Sequence, residues 1–116
     1  MIDKIIQATC RRWNVTYEEV LSNCRKRELC FVRMTIGWFL RKYTALSLAE
    51  IGRQVNRDHS TIIYYLNSFD VEYRYNDTFR NFAKNIESEI IYNEPKSPLA
   101  IELEGEYNEI IDSYGV

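Results

Sequence analysis

The chain contains no apolar run approaching the roughly 20 residues that a membrane span needs. Its opening, Met1-Ile2-Asp3-Lys4, lacks the charged-then-apolar layout of a secretory signal. A protein without membrane attachment, residing in the cytoplasm, is the expectation. The three cysteines, Cys10, Cys24 and Cys30, are odd in number and show no CxxC spacing, which suits reduced thiols and not a disulfide framework. Cys24, Cys30 and the single histidine, His59, match no common zinc pattern, so neither a metal nor a cofactor is expected. The glycines are few (Gly37, Gly52, Gly105, Gly115) and cannot form a G-x-x-x-x-G-K-S/T phosphate loop. With one histidine and no nucleophile paired to a base by motif, the chain does not read as an enzyme.

What is present is a core and an uneven charge. The 116 residues are 46% hydrophobic and 14% aromatic, enough for one folded domain with a short appendage and too apolar for a disordered chain. The four glycines and two prolines lie mostly outside the periodic segments, which favours helices. The net charge of −2 conceals a division. Residues 4–68 hold eleven Lys/Arg against five Asp/Glu, a net of +6, whereas residues 69–116 hold four against eleven, a net of −7. The first half can therefore follow a phosphate backbone. A merely solvated face fits poorly with the cluster Arg25-Lys26-Arg27.

Apolar spacing predicts an amphipathic helix over 3–13 and a short helix opened by the capping box Thr16-Tyr17-Glu18-Glu19 and running through Val20 and Leu21. Ser22 to Arg27 reads as a basic loop. Residues 28–43, apolar nearly all round, read as the central helix; Gly37 within it suggests a close helix crossing. A second capping box, Ser47-Leu48-Ala49-Glu50, starts a helix over 47–54. Asp58 is a good N-cap for a helix that continues through Phe69, and Asn76-Asp77 starts a last one over 77–92. Pro95 and Pro98 then stop regular structure. The fold class is thus all-α, about six helices in a domain spanning 1–94, followed by an acidic tail over 95–116. That tail carries Glu102, Glu104, Glu106, Glu109 and Asp112 among Leu99, Ile101, Leu103, Tyr107, Ile110 and Ile111.

Two short helices over 47–54 and 58–69, joined by about three residues, have the spacing of a helix-turn-helix. In that motif the second helix enters the major groove N-terminus first. Its opening residues must be short, polar and able to donate and accept. Asp58 can accept from a cytosine amino group, His59 can donate to a purine N7 or thymine O4, and Ser60 and Thr61 can bond to bases or phosphates. The positive end of the helix favours a nearby phosphate. On pattern alone the competing account stands beside this one: Asp58 only caps its helix and His59 is an ordinary surface histidine.

Leu48-Ala49-Glu50-Ile51-Gly52 followed by Arg57-Asp58-His59-Ser60-Thr61-Ile62-Ile63 resembles the signature of the C-terminal DNA-binding domain of the bacterial replication initiator DnaA. Val20-Leu21-Ser22 leading into Arg25-Lys26-Arg27, with Arg33 in the long helix, resembles that family's basic loop and following helix, so the likeness covers roughly residues 2–90. The resemblance implies base contacts from Asp58, His59 and Ser60 in the major groove and from Arg25 in the minor groove. It implies phosphate contacts from Arg27, Arg33, Ser47, Leu48, Arg57 and Thr61. An arginine in a narrow minor groove meets enhanced negative potential, and phosphate contacts set register without reading sequence.

The sequence also departs from that pattern. The turn Val55-Asn56-Arg57 is one residue shorter than the family's paired-glycine version, a change that can tilt the recognition helix. Val32-Arg33 stands where a proline-arginine pair is usual, Tyr64-Tyr65 where His-Ala is usual, and Asn67 and Ser68 where basic residues are usual. A recognised box other than the family's standard one, and a shallower salt dependence, are expected. The initiator carries an ATPase domain ahead of this module. Here Met1 opens directly on the first helix, so a free-standing reader of double-stranded DNA is expected, serving replication control or a mobile element or phage, with replication or regulatory proteins as further partners. The alternative is an interaction module of the same fold that has lost DNA binding or is covered by its acidic tail.

Overall fold

The computed structural model describes residues 1–92, which form six helices and no strand. They are α1 (Ile2–Trp13), α2 (Tyr17–Leu21), α3 (Arg27–Tyr43), α4 (Leu48–Val55), α5 (His59–Tyr75) and α6 (Asp77–Tyr92). The expected tail over 95–116 lies outside the described residues.

Local chemistry sets most of the boundaries. Asn14, in the left-handed region at φ 55°, ends α1, as short polar side chains can. Both expected capping boxes are formed. The Thr16 hydroxyl accepts from the Glu19 amide and the Glu19 carboxylate accepts from the Thr16 amide, each at 3.1 Å. Ser47 and Glu50 exchange the equivalent pair. Asn76 serves two helices: its amide donates to the Glu72 carbonyl at the end of α5, and its Oδ1 accepts from the Phe79 amide at the start of α6.

Helix α3 is the axis of the domain, with α1, α4 and α5 packed around it. Its Val32, Ile36 and Leu40 are fully buried, with Ile5 of α1, Ile51 and Val55 of α4, Ile62 of α5 and Ile90 of α6. Phe79 is the hub of an aromatic cluster, 5.2 Å from both Phe31 and Phe69, while Trp38 stacks on Phe69 at 4.4 Å. Such pairs add about 0.5–1.5 kcal/mol each beyond the area they bury.

Two expectations change. Helix α5 runs on to Tyr75 instead of stopping near Phe69, supported on its exposed side by the Asp70–Arg74 pair one turn apart. Gly37 faces α4, but a Cβ there would sit 3.9 Å from Ile51 Cγ2, an ordinary contact, so this crossing does not require glycine. Among the described residues no helix is long and apolar enough to cross a membrane.

Candidate nucleic-acid interface

The turn between α4 and α5 is built on backbone contact. Asn56 takes the left-handed conformation at φ 55°, ψ 49°, and the Arg57 amide donates to the Gly52 carbonyl at 2.8 Å. The chain folds back so closely that a Cβ on Gly52 would lie 2.2 Å from the Arg57 carbonyl oxygen. Glycine is therefore obligatory at the one point where the turn crosses α4. Three residues, Asn56, Arg57 and Asp58, join the helices, and they present the start of α5 to solvent.

At that start, Asp58 Oδ1 accepts from the Thr61 amide at 2.9 Å. This bond is the main reason the Asp58 carboxyl titrates below its ordinary range. Asp58 thus does cap the helix and keeps its charge at neutral pH. His59 and Ser60 follow as the first two residues of α5, both exposed, and Thr61 is half-buried behind them. At the head of α4, Ser47 is exposed and Leu48 is half-buried, with the helix N-terminus beside them. Helix N-termini present unpaired amides suited to phosphate oxygens.

The basic loop lies against this motif. Arg25 and Arg27 are exposed, and Arg27 packs over the Phe31 ring at 5.1 Å. They line one side of a groove of about 670 Å³ whose other side is Tyr64, Asn67 and Val71 of α5. The loop arginine is therefore a neighbour of the middle of α5, beyond its exposed start.

Arg33 is placed differently from the expectation. It is 1% exposed and cannot reach a phosphate. Its guanidinium donates instead to four backbone carbonyls: Val20 at 2.7 Å, Cys24 at 2.8 Å, Ser22 at 3.0 Å and Glu19 at 3.2 Å. These belong to the last turn of α2 and the loop after it, where carbonyls lack the amides of a continuing helix and the helix dipole is negative. Arg33 is the C-terminal cap of a five-residue helix, and that role demands burial. Arg57 is also turned inward, its guanidinium donating to the carbonyls of Asn56 at 2.7 Å, Ser22 at 2.8 Å and Val55 at 3.4 Å.

Three residues of this arrangement carry no family signature that sequence reasoning used. Tyr17 donates through its hydroxyl to the Gln54 carbonyl at 2.6 Å, and Asn56 Nδ2 donates to the Leu21 carbonyl at 3.0 Å. Tyr65, one of the two tyrosines in place of His-Ala, is 5% exposed. Burial pushes its hydroxyl up, opposed by the neighbouring Arg33 and Arg57. Tyr64 points outward at 65% exposure. Among the described residues no group of three or more His, Cys, Asp or Glu side chains is placed to hold a metal.

A three-residue turn between α4 and α5, with an exposed polar start to α5 and a basic loop at its side, defines a helix-turn-helix domain, the class that reads duplex DNA. The bacterial DnaA helix-turn-helix model matches residues 2–68, and the chain belongs to that family. The chromosomal replication initiator protein DnaA of Oleidesulfovibrio alaskensis is 44% identical over 62 residues, 53% of this chain and 13% of the relative. That of Lachnoclostridium phytofermentans is 31% identical over 81 residues, 69% of this chain and 18% of the relative. That of Thermomicrobium roseum is 28% identical over 97 residues, 83% and 21% respectively. The matched stretch thus amounts to 13–21% of the length of these relatives.

Proposed function

We propose that the chain binds double-stranded DNA sequence-specifically in the cytoplasm, in replication control or in regulation of a mobile element or phage. The observation that carries this reading is an exposed Asp58-His59-Ser60 start to α5 together with an exposed Arg25 in the loop that is hydrogen-bonded, through Leu21 and Ser22, to the turn just before Asp58. Asp58, His59 and Ser60 read base edges in the major groove, and Arg25 enters the adjacent minor groove. Arg27, Ser47, Leu48 and Thr61 hold phosphates, Leu48 through its helix-terminal amide. Substituting Arg25, His59 or Ser60 with Ala is expected to weaken binding to the preferred duplex by about 1–3 kcal/mol each. Selection of bound sequences from a random duplex library supplies that duplex. Parental affinity in all three variants would reject the site.

A second reading is favoured by the groove itself. Arg25 and Arg27 stand on its rim and Phe31, Met34, Tyr64 and Val71 line it, a surface complementary to the acid-and-apolar sequence of residues 99–112. The tail then competes with DNA for the basic loop. Replacing Glu102, Glu104 and Glu106 with Gln in the full chain should tighten DNA binding at low salt. Unchanged affinity would remove the tail from the account. An absence of binding by parent and variant alike, at low salt and across the library, would favour the interaction module over the DNA reader.

A further inference from the structure

The basic loop and the helix-turn-helix are separate in sequence but share hydrogen bonds at one point. The Ser22 carbonyl accepts from Arg33 Nη2 at 3.0 Å and from Arg57 Nη2 at 2.8 Å. On one side of it, the Leu21 carbonyl accepts from Asn56 Nδ2. On the other, the Cys24 carbonyl accepts from Arg33 Nη1, and Cys24 directly precedes Arg25. The α2 end and loop are thus fastened to α3 by Arg33 and to the turn by Asn56 and Arg57. Both turn residues sit immediately before Asp58, the N-cap of the recognition helix.

Free loop residues each lose roughly 1–2 kcal/mol of backbone entropy when ordered. A loop that had to be ordered only on binding would deliver its arginine weakly. Orientation fixed beforehand removes that cost from the binding step. The fork of Arg57 suits this task, because a planar guanidinium can span several carbonyls that an ammonium cannot. Its inward direction is hard to reconcile with a primary grip on phosphate.

We propose that Asn56 and Arg57 are positioning residues: they set the placement of the minor-groove arginine Arg25 relative to the recognition helix, so that the two grooves are read as one site. This rests on the DNA-binding reading above and assigns Arg57 a different part in it from the phosphate contact that family resemblance implies. Their side chains would act through the loop and not by touching DNA.

A double-mutant cycle in the full chain tests it, with thermal melting as the control for folding. In the parent, Arg25→Ala is expected to weaken binding to the selected duplex about tenfold, within the range for one lost base-edge contact. In the Asn56→Gly/Arg57→Lys background the same change should cost only about twofold, because coupled residues are non-additive. That background should also lose base preference at the minor-groove end of the box while keeping it where His59 and Ser60 read. Lysine retains a charge for phosphate, and glycine keeps the left-handed backbone at position 56. If Arg57→Lys melts early, Asn56→Gly alone carries the cycle. A full tenfold loss in both backgrounds overturns the coupling and leaves the DNA reading intact. No loss on Arg25→Ala in the parent overturns the DNA reading of Arg25, and the coupling with it.

Discussion

At the junction between loop and turn, Arg33 and Arg57 place seven hydrogen bonds on backbone carbonyls. At the rim of the same surface, the side chains of Arg25, His59 and Ser60 are exposed and make no hydrogen bond or salt bridge among the described residues. The residue types overlap, yet the junction commits most of its guanidinium donors to backbone and the rim leaves its side-chain groups available. Function follows from that division. A side chain can specify a base only if its donors are not already used, and it can specify reliably only if the backbone carrying it is fixed. On the proposed reading, the junction supplies the second condition so that the rim can meet the first.

The largest effect that would break this comparison is expected at Gly52. Its missing side chain is what lets the turn close, since a Cβ would meet the Arg57 carbonyl oxygen at 2.2 Å. The obstacle is backbone and not the flexible end of a side chain, so relief requires the turn to move. Gly52→Ala should destabilise by about 3 kcal/mol, the upper part of the overpacking range, and should misplace Asp58. Urea denaturation measures the first and duplex affinity the second. A stable variant with parental affinity would mean that the turn is not rigid.

Next in size is a pair of arginines in one stretch of sequence. Arg33→Met should remove the side-chain donor to the carbonyls of Val20 and Cys24 and one of the donors to those of Glu19 and Ser22, and cost about 2–3 kcal/mol. Arg33→Lys should recover little, because a point charge cannot span the four. Arg25→Ala, at an exposed position, should leave stability within about 0.5 kcal/mol and reduce only affinity. Equal stability losses at the two sites would erase the distinction between junction and rim.

Much of this was legible beforehand, and the exceptions have physical reasons. Helix starts are chemical events within four residues, so Thr16–Glu19, Ser47–Glu50 and Asp58 announced themselves. The exposed start of α5 was legible for the same reason. Helix ends are less local. Helix α5 passes Phe69 because Asn76 is what stops it, and the intervening Val71 and Tyr75 are exposed apolar residues that periodicity misreads. The direction of an arginine side chain is not local at all. Arg33 lies on the core side of α3, but only the position of α2's last turn, thirteen residues earlier in the case of Val20, explains a guanidinium there. The family resemblance therefore placed Arg33 on the DNA side, and packing removed it.

The smallest effect tests whether the division is confined to the interface. Helix α6 supplies none of the proposed contacts, yet its Glu87 accepts from Lys42 at 2.5 Å and from the Tyr43 hydroxyl. Burial raises the Glu87 pKa, but the Lys42 and Tyr43 hydrogen bonds outweigh it, and the carboxyl titrates below its ordinary range. A group lowered in the folded state contributes stability above its unfolded pKa of about 4.3 and loses it as pH falls through the folded value. With the two side chains 51% and 28% exposed, solvent screening holds the contribution to about 1 kcal/mol or less. Glu87→Gln should therefore lower the melting temperature slightly at pH 7, converge with the parent in acid, and leave duplex affinity at pH 7 unchanged. A change in affinity would show that α6 is coupled to the proposed reading surface, and the contrast between a bonded junction and an open rim would then have to include the whole bundle.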